Sequence, residues 1–141
     1  MKLLMFQATQ FAYQPAVSLL PNTESYPRPP KGGDIVSGPA IIAYLHVEPD
    51  DMTRAPKLVT RAAKNIKWLA NKAGCRQLVL HSFSHLSEKK AEPNEALSIL
   101  TALKVRLENN GYDVSATPFG YSCSWTLSVQ GEANAKVFKA L

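Results

Sequence analysis

This chain carries only two cysteines, Cys75 and Cys123, far apart and in no Cys-x-x-Cys unit. Neither a disulfide framework nor a zinc site follows from such spacing, and reduced thiols are the expectation. Long apolar runs are also missing: the longest, such as Pro39 to Leu45, fall far short of the roughly 20 residues of a membrane-spanning helix. At the start, Met1 to Phe6 holds one lysine, and Gln7, Thr9 and Gln10 end the run before a signal-peptide core can form. A cytoplasmic protein with no membrane partner is expected. There is no Gly-x-Ser-x-Gly elbow and no phosphate-cradling glycine loop, and the one adjacent carboxylate pair, Asp50-Asp51, is accounted for as a helix cap. No repeat, low-complexity tract or linker divides the chain, so the whole of 1–141 reads as a single domain.

What is present is enough for one core. At 141 residues and 45% hydrophobic content, such a chain buries about two-thirds of its unfolded surface. The formal net charge of +5 gives a mild attraction to polyanions that does not by itself establish nucleic-acid binding. Lys2 to Thr9 and Pro39 to Glu48 read as strands, separated by a long segment rich in proline: Pro15, Pro21, Pro27, Pro29 and Pro30. Such proline density forbids a continuous helix or a central strand and predicts an irregular loop. Capping side chains at Asp50 to Thr53 predict a helix over Pro56 to Ala73, ended by Gly74, with Val59, Ala62, Ala63, Ile66, Leu69, Ala70 and Ala73 inward. Lys57, Arg61 and Lys64 share another face of that helix, either to meet phosphates or as a solvated surface. Gln77 to Leu80 is a short buried strand, and Pro93 to Asn109 a second helix with Ala96, Ile99, Leu100, Leu103 and Leu107 inward. Tyr112 to Ala116 and Ser122 to Gln130 follow as strands around the turn Pro118-Phe119-Gly120-Tyr121, and Ala133 to Ala140 is expected to form a terminal helix.

The candidate chemistry centres on Leu78 to Trp125. His81 and His85 stand four apart, the spacing of paired metal ligands on a helix, but they follow an apolar strand with no third ligand nearby, so no metal is expected. A hydrogen-bonding role in a pocket or turn suits His85 better. Cys123 is a candidate nucleophile if a base such as His85 approaches it, or a strand cysteine facing the core. Spacing alone therefore yields a basic α/β domain with a polar pocket and names no reaction.

Phe83-Ser84-His85-Leu86-Ser87, the Pro93 helix, Asn110-Gly111-Tyr112 and Pro118-Phe119-Gly120-Tyr121 together resemble the N-terminal editing domain of archaeal-type threonyl-tRNA synthetases. Lys2-Leu3-Leu4 and Ile42 to Glu48 are similar to that family's first two strands, and the order of blocks holds over the whole length. The resemblance implies the D-aminoacyl-tRNA deacylase fold, a β/β/α layered α/β domain with a mixed sheet and two long helices, assembled as a homodimer. It implies hydrolysis of serine wrongly attached to the 3′ end of threonine tRNA, without cofactor, with water positioned by the RNA's own 2′-hydroxyl. The class II synthetase core is not expected within the chain, and two arrangements stay open: a freestanding factor that partners a threonyl-tRNA synthetase, or a domain of a longer synthetase.

By matching position, Val47 and Phe83 are expected to shape the amino-acid pocket, and backbone groups around Ser82 and Ser84 to face the substrate. His85 is expected to organise the site, with Phe119, Gly120 and Tyr121 bordering the terminal adenosine. Four positions depart from what the resemblance implies: Cys123 stands where the family often has a lysine and Lys136 where it has a glutamate, both near the substrate, and Ser82 and Ser84 stand at family alanine or proline positions. The first two departures give a second expectation, a noncatalytic module that binds tRNA or a synthetase.

Overall fold

Alternation along the first strand sets the architecture. Met1, Leu3 and Met5 are buried on one side, while Leu4 and Phe6 are half-buried on the other, as period-two geometry requires of a strand covered on both faces. The computed structural model describes residues 1–21 and 32–141, so Pro27, Pro29 and Pro30 of the expected loop lie outside the described residues. The elements are β1 (Lys2–Ser18), β2 (Asp34–His46), a 3-10 turn (Pro49–Arg54), α1 (Ala55–Ala73), β3 (Gln77–Ser82), α2 (Pro93–Asn109), β4 (Asp113–Ala116), β5 (Tyr121–Val129) and β6 (Lys136–Ala140).

They form one mixed sheet in the order β4-β3-β2-β1-β5, with β6 also paired to β1. β2, β3 and β4 are parallel, joined through α1 and α2, whereas β1 is antiparallel to β2, β5 and β6. One core lies between the sheet and the helices, and includes Leu3, Met5, Ile41, Leu45, Ile66, Leu69, Leu78 and Leu103. A second, with Phe11, Ile42, Tyr44 and Val79, lies on the other sheet face beneath Phe6, Tyr13, Phe83 and Leu127. This is the expected layered α/β fold. α1 buries the expected stripe and ends at Gly74, whose φ of 65° is open to glycine without a Cβ penalty. α2 spans Pro93–Asn109 and buries Ile99, Leu100, Leu103 and Leu107.

Three expectations are corrected. The terminal segment is not a helix: Lys136–Ala140 is a strand in register with Lys2 to Phe6. Without it the first half of β1 would have β2 on one side only, and the unpaired edge would leave backbone donors and acceptors that a helix cannot satisfy. The proline-rich segment is also shorter than expected, since β1 runs through Pro15 to Ser18 and β2 starts at Asp34. Pro15 lies past the last β1–β2 pair, Tyr13↔Asp34, and beside a bulge against β5, where a missing N–H breaks no central ladder. Finally, it is Asp51 of the Asp50-Asp51 pair that caps, and it caps the 3-10 turn rather than α1: in a capping box with Glu48 it accepts from the Glu48 N–H at 2.8 Å.

The same carboxylates hold the buried amino terminus. The Met1 ammonium lies 2.8 Å from Glu48 Oε2 and 2.7 Å from Asp51 Oδ2, and Asp51 also accepts from Arg54 at 2.7 Å. Partial burial pushes the Glu48 carboxyl up, but the Met1 ammonium, the Ser87 hydroxyl and Lys2 together bring it down to about 2. A carboxyl lowered on folding stabilises the native state above its ordinary value of 4.5, and that contribution fades as pH falls toward 2. Thermal melts between pH 5 and 2 should therefore show a steeper loss of Tm for the native sequence than for Glu48→Gln, and parallel curves would remove Glu48 from this role.

Candidate functional site

The carboxyl ends of β2 and β3 bring their side chains to one end of the sheet, beside the N-terminus of α2. Along β3 and just beyond it, alternation sends Leu80, Ser82 and Ser84 toward the helices and His81 and Phe83 to the opposite face. Leu45 and Val47 arrive on the helix side from β2. Together with Pro118, Phe119, Gly120 and Tyr121 and the tip of β1 at Leu19 and Leu20, they enclose a cavity of about 300 Å³. Lys90, Ala91, Glu92, Pro93 and Ala96 complete the wall. Larger clefts of about 390 and 410 Å³ lie around Trp125 and between α1 and α2, but neither holds any of the expected site residues.

Backbone hydrogen bonds fix these walls. Phe83 N–H donates to Leu45 O at 2.9 Å and Ala91 N–H to Val47 O at 3.0 Å, which ties the segment 83–92 to the end of β2. Leu19 N–H donates to Gly120 O at 2.8 Å and joins the β1 tip to the Pro118-Tyr121 turn. His46 was not singled out from the sequence, yet it holds the same segment from below. Its Nδ1 accepts from Leu86 N–H at 3.1 Å and its Nε2 donates to Lys89 O at 2.9 Å, an arrangement that uses both nitrogens of a buried ring. His46→Ala should leave Leu86 N–H and Lys89 O unpaired, cost about 1–3 kcal/mol and expose 83–92 to limited proteolysis. An unchanged melting temperature and cleavage pattern would show that the segment holds without it.

Six of the expected residues therefore share the cavity: Val47, Ser82, Ser84, Phe119, Gly120 and Tyr121. Four do not line it. Phe83 packs into the second core, 5.2 Å from the Tyr44 ring, and His85 meets Phe83 edge to face at 5.1 Å on the surface. Cys123, on β5, has its Sγ 3.9 Å from Tyr121 O, and burial pushes its thiol above the ordinary value, away from a thiolate. Lys136 is exposed on β6 opposite Phe6, whereas Tyr121 pairs with Ser18 at the far end of β1. His81 is buried: its Nδ1 meets Thr117 Oγ1 at 2.8 Å, and burial lowers its pKa to about 4, so the ring is neutral near pH 7. His81 and His85 do not form a pair, because four-residue spacing brings two imidazoles together on a helix and not along an extended strand.

The cavity holds no histidine and no cysteine; Lys90, Glu92 and Tyr121 are its ionisable side chains among the described residues. Its polar groups are hydroxyls, strand-end backbone and the start of α2, where the N-cap Glu92 makes no side-chain cap bond. The partial positive charge of a helix N-terminus favours negative charge placed there. Leu19, Leu20, Lys90 and Ala91 were missed from the sequence. Lys90 and Ala91 adjoin the Pro93 helix start, a usable signal, but nothing local marks Leu19 and Leu20, which meet the turn across about a hundred residues of chain.

Fold and site together define a layered α/β domain, a mixed sheet covered by two long helices, with a cavity at its strand ends. Residues 1–141 match the family model of the archaea-specific editing domain of threonyl-tRNA synthetase, and the chain belongs to that family. The threonine-tRNA ligase of Cenarchaeum symbiosum is 29% identical over 141 residues, covering 100% of this chain and 21% of its own length. That of Hyperthermus butylicus is 29% identical over 134 residues, 93% of this chain and 21% of its own. That of Thermococcus kodakarensis is 27% identical, covering 100% and 22%. The chain thus spans about a fifth of the length of these relatives. Among solved structures, the c-Myc DNA Unwinding Element Binding Protein superposes with a TM-score of 0.67 at 11% identity, covering 100% of this chain and 99% of that one. At that identity the likeness concerns the fold alone. No helix among the described residues is long and apolar enough to cross a membrane.

Proposed function

We propose that this domain hydrolyses the ester of serine mischarged on threonine tRNA. The observation that carries the reading is the strand-end cavity, which gathers Val47, Ser82, Ser84, Phe119, Gly120 and Tyr121 in one space. In this mechanism the seryl group enters between Val47 and the two serines, and the terminal adenosine rests against the Phe119-Tyr121 turn. Water held by the adenosine 2′-hydroxyl adds to the ester carbonyl carbon. The oxyanion that forms is stabilised by backbone donors at the strand ends and the N-terminus of α2. Collapse breaks the bond to the 3′-oxygen, which takes up a proton, and releases serine. The protein supplies position and exclusion of bulk water rather than a nucleophile, a division of labour that suits a cavity without histidine or cysteine. Its purpose is physical: serine lacks one methyl of threonine, and one methyl separates two ligands by only about 1–3 kcal/mol in a single pocket.

We further propose a homodimer, supported by the exposed apolar side chains Val17, Leu19, Ile35 and Trp125 on the β1, β2 and β5 extension. The second functional reading, a noncatalytic tRNA-binding or synthetase-partner module, is favoured by one observation: Cys123 and Lys136, which by the resemblance take the places of a lysine and a glutamate, both lie off the cavity wall. The deciding assay incubates the protein with seryl- and threonyl-tRNA for threonine. Faster loss of serine than in buffer, with threonine retained, is expected; tRNA binding with no turnover would establish the second reading instead.

A further inference from the structure

The five cations of α1, Lys57, Arg61, Lys64, Lys67 and Lys72, have no acidic residue beside them on the helix. They equal the whole formal excess of +5 in the chain, so the remaining residues are balanced. α2 illustrates that balance, with Glu95 and Glu108 against Lys104 and Arg106. Helical geometry then orders the α1 cations. Lys57, Arg61, Lys64, Trp68 and Lys72 recur at intervals of four, three, four and four, which sets them in one line opposite the buried stripe of Val59, Ile66 and Ala70.

All five of these side chains lie on the outer face of the helix, with Trp68 exposed to 44%. Lys67 stands off the line and donates to Asn110 Oδ1 at 2.6 Å. Among the described residues, none of the four cations on the line takes part in an ion pair. Lys72 Nζ instead sits 5.2 Å from the centre of the Trp68 ring, which holds the indole flat beneath a cation.

A line of like charges at helical spacing destabilises the helix that carries it, and no ion pair among the described residues relieves it. A polyanion does. The line extends about 22 Å, long enough to meet several successive phosphates, and an exposed indole between cations offers a stacking face to a base or sugar. Its position fits as well. β2 delivers Leu45 and Val47 to the cavity, and the chain reaches Lys57 ten residues after Val47, so the line begins at the cavity end of the sheet.

We propose that the outer face of α1 is a docking surface for the RNA backbone of the tRNA whose 3′ end occupies the cavity. The proposal rests on the tRNA reading of that cavity and adds the surface by which the body of the RNA is held. The test replaces Lys57, Arg61, Lys64 and Lys72 by glutamine together, surface changes that leave the melting temperature within a few degrees. Binding of uncharged threonine tRNA is followed across salt concentrations, and hydrolysis is followed on seryl-tRNA and on 3′-seryl-adenosine.

The expected result is at least a tenfold rise in KM for seryl-tRNA with kcat preserved, unchanged hydrolysis of seryl-adenosine, and a salt slope reduced by about 3, near 0.7–0.9 for each phosphate no longer neutralised. In a Trp125→Phe background, tRNA should quench Trp68 emission. Unchanged affinity and slope would overturn the proposal, and so would weaker binding with an unchanged slope. If tRNA binding is unaffected while binding to polyglutamate falls, the face serves an acidic protein and the proposal is overturned. If the native protein binds tRNA but hydrolyses neither substrate, the deacylase reading fails while the salt slope still decides this surface.

Discussion

Replacing the terminal 2′-hydroxyl of seryl-tRNA by hydrogen is expected to slow hydrolysis by at least about 10²-fold, the lower range for loss of a general acid or base. The expectation follows from what surrounds the cavity. His81 is buried on the far sheet face with its Nδ1 engaged by Thr117, His85 packs on Phe83, and burial holds the Cys123 thiol protonated. Among the described residues, the carboxylate on the wall is Glu92 at the start of α2. Glu92→Gln provides the contrast: with the RNA hydroxyl orienting the water, this substitution should cost less than about tenfold. If Glu92→Gln removes hydrolysis and the 2′-deoxy substrate retains it, the base is on the protein and the mechanism given above is wrong. Single-turnover rates keep product release out of the comparison.

Gly120→Val is expected to lower single-turnover hydrolysis by about 10²-fold, the scale at which misplacement by roughly an ångström is felt. Gly120 has φ of +82°, and a Cβ there would lie 2.8 Å from Leu20 Cδ1. The leucine side chain can move aside, but that leaves the backbone strain: a β-branched residue at that φ is strongly disfavoured, at a cost of about 1–3 kcal/mol. The turn must therefore rearrange, and it carries Phe119 and Tyr121 on the cavity wall and the Gly120 carbonyl that receives Leu19 N–H. Gly131→Ala is the matching control, since nothing lies within 4 Å of a Cβ there. A Gly120→Val protein that hydrolyses within about twofold of the native rate would show that this turn does not border the reacting group.

The helices were legible because each buries one stripe. Val59, Ala62, Ile66, Leu69 and Ala70 announce α1, and Ile99, Leu100, Leu103 and Leu107 announce α2, at the spacing by which a helix covers a sheet. The parallel strands were legible as short apolar runs between those helices. The terminal segment was not, because Ala-Asn-Ala-Lys-Val-Phe-Lys-Ala suits a helix as well as a strand locally. The choice lay with β1, whose open edge at Lys2 to Phe6 takes Lys136–Ala140 as its partner. The same placement sets Lys136 along β1 from the Tyr121 end, which spacing in sequence could not reveal.

Two strand-end motifs, the Ser82-Phe83-Ser84 segment and the Pro118 to Tyr121 turn, were visible in the sequence as candidate walls, since turn residues and family order mark them. Which side chains of those motifs face the cavity was decided by the pleat, which turns Ser82 and Ser84 inward and Phe83 away. The contacts of Leu19 with the Gly120 carbonyl and of Ala91 with the Val47 carbonyl, and the support from His46, join residues distant in the chain through hydrogen bonds to the backbone. The layered α/β class, the helix faces and the family can be read along the chain, because periodicity and motif order are local properties. The sixth strand, the membership of the cavity and the tethering of its walls arise on assembly, because they depend on which backbone edges and side chains meet once the sheet has formed.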